Sequence, residues 1–289
     1  MSGILSGRAA VITGASHGLG REIARVFVAA GASVLACARD AHSLGEAQSE
    51  LESIASDPAS VAAVTADVSE PEAVERLVTE AFECFSGIDI LVNNAGVYGP
   101  KGPTEDVAWD EWEHTVRVNL FGSVLCVRAL LPHFRRNEYG KIIQLSGGGA
   151  TSPLPRLSAY AASKAAIVRF TETLAEEVRG TGIDVNAIAP GAMNTRMLDE
   201  ILEAGPERVG SSYYERAVEQ QSSGGSPVEL AARLALFLAS RASDGITGKL
   251  ISAPWDPWEV LPTHQEDLRG SDVYTLRRIV PSDRGLSWG

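Results

Sequence analysis

Tyr160 and Lys164 lie four residues apart in Tyr160-Ala161-Ala162-Ser163-Lys164, a spacing that projects both side chains from one face of a helix. A free tyrosine hydroxyl has a pKa of about 10, too high for a base near neutrality. A lysine ammonium close by favours the phenolate and brings the group into working range. About 150 residues earlier, the mostly apolar run Arg8 to Thr13 breaks at Gly14-Ala15-Ser16-His17-Gly18-Leu19-Gly20. Leu19, Ile23, Val26 and Phe27 then take up helical spacing over residues 18–30. A strand, a glycine turn and a helix N-terminus together offer backbone N–H groups and a positive dipole end to a pyrophosphate. The glycines fall as G-x-x-x-G-x-G, not as G-x-G-x-x-G. The two motifs in this order imply nicotinamide-dependent oxidoreduction.

Alternating elements must carry them. Further strands are expected at 33–38, 61–65, 88–92, 141–145, 184–188 and 249–251, the first being residues 8–13. Amphipathic stretches lie between them at about 43–55, 72–86, 108–135, 158–180 and 228–240, the last opening at Pro227. Pro132 is expected to end or bend the long fourth helix. Alternation of this kind implies an α/β fold, a doubly wound parallel sheet of the Rossmann type with about seven strands.

With these segments in place, the chain resembles the classical short-chain dehydrogenases/reductases over about residues 5–252. The matched pieces are residues 13–20, Asp67-Val68, Asn93-Asn94-Ala95-Gly96, Val118-Asn119, the Tyr160 to Lys164 motif, and Pro190-Gly191 followed by Thr195. The resemblance implies an NADP(H)-dependent oxidoreductase interconverting a secondary alcohol and a carbonyl by hydride transfer. Tyr160 would be the general acid/base, its phenolate favoured by Lys164 and by the charge of oxidised nicotinamide; Lys164 would also hold the nicotinamide ribose, and Asn119 would support a water-linked proton path. Gly14, Ser16, His17, Gly18, Leu19, Gly20, Arg39, Asp67, Val68, Asn94, Ala95, Gly96, Pro190, Gly191 and Thr195 would complete the cofactor site. A homodimer or homotetramer is implied as well.

Cofactor choice is argued at the end of the second strand, where NAD-selective sites place a carboxylate for the ribose 2′-hydroxyl. That position is Ala38, followed by Arg39, whose guanidinium can grip a 2′-phosphate. His17 could add positive charge. NADP(H) is therefore expected over NAD(H), against the alternative that Arg39 pairs with the adjacent Asp40 in solvent.

One family position is not filled. The pattern expects a serine thirteen residues before the tyrosine, and that residue is Gly147. Ser146 is one residue off, and such a shift in an extended strand turns a side chain to the opposite face. Flexibility at Gly147-Gly148-Gly149 could bring Ser146 round; Thr151 and Ser152 are the other candidate donors. Two rivals follow: a nucleotide-binding regulatory protein with impaired catalysis, and an imine reductase or redox epimerase of the same fold.

The 289 residues read as one domain, 1–252, with a C-terminal extension over 253–289. Residues 196–226 are expected to form a substrate lid, in which Tyr213 and Tyr214 either line the pocket or pack the lid's own helix. In the extension, Trp255, Trp258, Tyr274 and Trp288 need cover, on this subunit or a neighbour. A net charge of −12 argues against nucleic acid. No run approaches a membrane span and no export signal is read. Cys37, Cys84 and Cys126 read as reduced core or near-core thiols of a cytoplasmic protein. The partner is a small carbonyl or alcohol, and no metal site is expected.

Overall fold

Strands buried on both faces require nearly continuous apolar runs, and the runs named above become the strands. The computed structural model describes residues 3–57 and 60–288. They form β1 (Ala9–Thr13), β2 (Ser33–Ala38), β3 (Val61–Thr65), β4 (Ile90–Asn93), β5 (Gly140–Leu145), β6 (Ile183–Ala189) and β7 (Leu250–Ser252). All neighbours pair in parallel, in the order β3-β2-β1-β4-β5-β6-β7. The strand order reverses between β1 and β4, so a crevice opens at their carboxyl ends.

Helices cover both faces. Helices α1 (Gly18–Ala29), α2 (Ala41–Ile54) and α9 (Val228–Ala239) pack on one side through Ile23, Phe27, Leu44, Leu51, Leu234 and Leu238. On the other side α3 (Pro71–Cys84), α5 (Gly122–Asn137) and α6 (Ser158–Glu177) contribute Val74, Leu77, Leu130, Phe134 and Leu174. Lys141 crosses the sheet interior with 1% of its side chain exposed and bonds Asp184 and Asp244, each at 2.7 Å. Desolvation raises the Asp184 pKa despite the opposing pull of Lys141.

The long fourth helix departs from expectation. It divides into α4 (Trp109–Val116), a π-helical turn Arg117–Phe121, and α5. Pro132 lies inside α5, which runs on to Asn137 and does not end there. Proline removes one backbone donor, and Leu130 and Phe134 on either side, buried against the sheet, hold the helix in place. By composition Trp109–Asn137 is long and apolar enough to cross a membrane, but its Cys126, Val127, Leu130 and Phe134 belong to the core. Cys37 and Cys126 are buried, whereas Cys84, at the end of α3, is exposed rather than near-core.

The lid is two helices, α7 (Arg196–Val209) and α8 (Ser211–Ser223). Beyond β7, the extension returns to the body. Trp258 is 5% exposed, packs on Phe237 with ring centroids 5.6 Å apart, and donates from Nε1 to the Ala253 carbonyl. Leu261 and Leu268, the latter on α10 (Gln265–Arg269), join the same core. The Tyr274 carbonyl accepts from Leu250 N–H, so the extension covers part of the outer edge of β7. Trp255 and Trp288, in contrast, are 81% and 76% exposed within the single chain. Their expected cover is absent on this subunit. Gly289 lies outside the described residues.

Trp258→Ala should therefore cost about 3–5 kcal/mol of folding stability, the usual range for emptying a large aromatic site. Trp255→Ala should stay within about 0.5 kcal/mol. Denaturant melts of the two variants give the comparison, and equal losses would refute this assignment of the extension's anchor.

Candidate active site

The glycine turn is braced from β4. Asn94 Nδ2 donates to the carbonyls of Thr13 and Gly14, both at 3.0 Å, and Thr13 Oγ1 accepts from the N–H groups of Asn94 and Ala95 at 3.1 Å. A Cβ on Gly14 would come within 2.8 Å of Asn94 Nδ2 and 2.9 Å of Ala95 Cα, and one on Gly20 would overlap the Gly14 carbonyl. Those two glycines serve close approach. Gly18 has φ +53° and faces only the Thr195 methyl, 3.6 Å from its Cβ position. His17, at the N-cap of α1, makes no side-chain capping bond, so the first-turn N–H groups keep their donor capacity for an anion. The turn fits a dinucleotide pyrophosphate. Asn94 and Ala95 act on it as scaffold.

His17 does not bring positive charge. Arg196 donates to its Nε2 at 3.1 Å while Ser16 Oγ lies 2.9 Å from Nδ1. A guanidinium only donates, so Nε2 is the acceptor and the ring is neutral. Burial, then Arg196, lowers its pKa. Its role is instead to tie the first residue of α7 to the glycine turn.

At the end of β2, Ala38 is followed by a half-exposed Arg39. Asp40 is the N-cap of α2, its carboxylate accepting from Ser43 N–H at 2.8 Å and Ser43 Oγ at 2.6 Å. Arg39 faces Asp67 at 3.9 Å instead. Asp67 itself is held by Ser69 N–H and Oγ, and Val68 beside it is buried. Arg39, Asp67, Glu70 and Arg76 border a recess of about 380 Å³. Arg76 is a second guanidinium that sequence reasoning did not single out.

The tyrosine–lysine pair sits below the crevice. Tyr160 and Lys164 are buried on α6, and Lys164 Nζ donates to the Leu145 carbonyl at 2.8 Å, 5.7 Å from the Tyr160 ring centre. Asn119 lies within the π-helical turn, a form common at functional sites. Its Oδ1 accepts from Val97 N–H at 2.8 Å, and its Nδ2 donates to the Val97 carbonyl and to Ser163 Oγ, both at 2.9 Å. Ser163 Oγ donates in turn to the Tyr160 carbonyl at 2.7 Å. A Cβ at Gly96 would lie 3.3 Å from Asn119 Oδ1 and 3.4 Å from Lys164 Nζ, so glycine there lets the two groups converge. Burial lowers the Lys164 pKa to about 8. Burial raises that of Tyr160, followed by Tyr213, so the phenol is protonated.

Position 147 does point at the tyrosine: a Cβ there would overlap the Tyr160 hydroxyl oxygen and lie 3.2 Å from Cζ. The phenol fills the space a serine would need. Ser146 makes no hydrogen bond to Tyr160. Its N–H continues the ladder to Ile188, and its buried Oγ has no hydrogen-bond partner among the described residues. Thr151 and Ser152 are exposed in the following loop. Against Tyr160 lies Tyr98 instead, with ring centroids 4.6 Å apart at 59°, and Tyr213 of α8 packs against the same cluster. Tyr213 thus faces the site, and Tyr98 is a group that sequence reasoning missed.

Gly191, with φ +89°, passes close to Ser226 and Pro254, and Met193 forms a bridge with Gly225. Pro190 to Thr195 and the end of the lid are thereby joined at its base. Leu157, Leu198, Ile201, Val209 and Ala217 form an apolar cluster with Tyr160 beneath α7 and α8.

Residues 8–205 match the short chain dehydrogenase family model. The chain is 40% identical over 245 residues to 3beta-hydroxysteroid dehydrogenase 1 of Eggerthella lenta, spanning 84% of this chain and 91% of that protein. Its fold matches the crystal structure of levodione reductase with TM-score 0.79 and 28% identity, over 90% of this chain and 99% of that one. It also matches 3-ketoacyl-(acyl-carrier-protein) reductase from Brucella melitensis, complexed with NADH, with TM-score 0.74 and 31% identity over 86% and 97% of the two chains. With the Rossmann sheet and the family model agreeing over most of its length, this chain belongs to the short-chain dehydrogenase family of oxidoreductases.

Proposed function

We propose that the chain interconverts a secondary alcohol and a carbonyl with NADP(H), using Tyr160 as general acid/base. The observation that carries this reading is the convergence of Lys164 and Asn119 beside Gly96, with the Tyr160 ring centre 5.7 Å from Lys164 Nζ. When bound, the nicotinamide supplies or takes up hydride. Gly14, Ser16, Gly18, Leu19 and Gly20 would seat the pyrophosphate, and Pro190, Gly191 and Thr195 would lie beside the nicotinamide. Asp67 and Val68 would flank the adenine.

The chain's own residues then have distinct tasks. The protonated Tyr160 donates to a carbonyl oxygen in reduction and takes the proton back in oxidation. An ammonium whose pKa is about 8 can exchange protons near neutrality, so Lys164 relays them. Asn119 holds Val97 and Ser163, and so the loop and helix between which that relay runs. Arg39, released from Asp40 by the α2 cap, is the group for a 2′-phosphate. The apolar lining under the lid suits an uncharged substrate. A cytoplasmic homodimer or homotetramer completes the proposal. Gly147 supports a second reading, a nucleotide-binding regulatory protein, which cofactor binding without turnover on any carbonyl or alcohol would favour.

NADPH should bind at least about tenfold tighter than NADH, and Arg39→Ala should remove most of that gap, about 1.5–3 kcal/mol for a charge-assisted contact. Equal affinities in nicotinamide fluorescence titrations would overturn the cofactor assignment. Tyr160→Phe keeps the ring and loses the proton, so turnover should fall by about 10² or more while nucleotide affinity survives. Unimpaired turnover in that variant would sink the mechanism.

Lys164 also makes a stability prediction. Its folded pKa of about 8 lies below the unfolded value of about 10.4, so the unfolded chain binds more protons between those values. The cofactor-free protein should therefore gain stability relative to Lys164→Met as pH rises from about 8 to 10, with no change below about pH 7. Urea melts that run parallel across that window would contradict the burial of a titrating ammonium.

A further inference from the structure

We propose that Tyr98 supplies the second hydrogen-bond donor to the substrate oxygen, the position that Gly147 leaves without a side chain, and that Tyr213 of the lid holds this donor until substrate arrives. The proposal rests on the reading of Tyr160 as the proton donor to that oxygen.

A carbonyl oxygen has two lone pairs, and Tyr160 addresses one. The donor for the other must be an O–H packed near the Tyr160 hydroxyl. Gly147 offers none, Ser146 makes no hydrogen bond to Tyr160, and Thr151 and Ser152 are exposed. Tyr98 is the phenol packed against Tyr160, and Tyr213 of the lid packs against the same cluster. Burial, with Tyr160 and Tyr213 nearby, keeps the Tyr98 phenol protonated, hence able to donate.

Its placement is rigid in a way a chance aromatic contact does not require. The preceding residue, Val97, has both its N–H and its carbonyl clamped by the Asn119 amide. The following residue, Gly99, has φ +70° and lies so close to Thr115 that a Cβ would overlap Oγ1. Tyr98 is thus fixed between two immobile neighbours, one of them bound to the same asparagine that adjoins Lys164. Lys101 lies over the Tyr98 ring, 5.7 Å from its centre, and pairs with Glu200 of α7 at 3.1 Å. Both links from Tyr98 to the lid, through Tyr213 and through Lys101–Glu200, can open without disturbing its backbone. A substrate oxygen that enters beneath α8 replaces Tyr213 as the acceptor of the Tyr98 proton.

The test combines a spectroscopic probe with kinetics. Acetophenone labelled with ¹³C at its carbonyl is bound to the NADP⁺-loaded protein, where it is not reduced, and its C=O stretch is read by infrared difference spectroscopy. Two donors lower that frequency more than one. Tyr98→Phe should return part of the shift, Tyr160→Phe another part, and Tyr213→Phe should leave it nearly unchanged. With the carbonyl substrate turned over fastest in a panel, Tyr98→Phe should lower kcat by about 10²–10³, as loss of an oxyanion donor does, with KM and NADPH affinity within about twofold. A shift and a kcat both untouched by Tyr98→Phe would overturn the proposal; if Tyr160→Phe still abolished turnover, the general acid/base reading would stand without it. No shift in any form of the protein would overturn the proposal as well, and no turnover of any substrate by the unmodified protein would overturn both.

Discussion

One amide fixes the geometry of the site. Asn119 binds the backbone of Val97 on both sides and the hydroxyl of Ser163, so it joins the loop after β4 to α6. The π-helical turn at Arg117–Phe121 places that amide where an uninterrupted α-helix would carry it past the loop. Each of its hydrogen bonds is buried or partly buried, and losing one would strand a partner at a cost of about 1–3 kcal/mol. Gly96, between Asn119 and Lys164, can carry no side chain without crowding both.

The site also holds energetic tension. An ammonium 5% exposed, bound to one carbonyl, is a poor arrangement for stability, and burial depresses its pKa accordingly. The neighbouring phenol is pushed the other way. Buried as they are, the two groups therefore approach neutrality together, the lysine by losing its proton readily and the tyrosine by keeping its own. The phenolate that the sequence argument invoked from lysine and oxidised nicotinamide together is therefore not the form of the cofactor-free protein. Reconciling the two requires a positive charge beside Tyr160, and oxidised nicotinamide is the group that brings one. Elsewhere the chain neutralises buried charge more fully: Lys141 has two carboxylates.

Much of this was legible in the sequence. Strands β2 and β3 begin and end where their apolar runs do, and the parallel doubly wound sheet follows from the alternation of units. The π-helical turn was not legible, because hydrophobic spacing over Val116 to Cys126 reads alike with one residue more or less per turn. The Asp40 cap could have been read from Asp40-Ala41-His42-Ser43, an acidic residue at the mouth of a helix. Tryptophan content did not distinguish Trp258 from Trp255, since burial depends on whether Phe237 lies opposite, a tertiary fact. Tyr98 carried no signal at all beyond following Gly96-Val97. Its importance arises from Gly147, 49 positions away in the chain.

The central claim is that Tyr160 exchanges the substrate's proton when cofactor charge and Lys164 act on it together. It is tested most directly by ultraviolet difference titration of tyrosine ionisation, comparing the protein with its Tyr160→Phe variant, each with and without NADP⁺. The account predicts one ionisation, present only when Tyr160 is, that moves from above about pH 10 in the free protein to near neutrality with NADP⁺ bound. If turnover proceeds while no Tyr160-dependent ionisation moves on binding NADP⁺, Tyr160 is not the group that exchanges the proton.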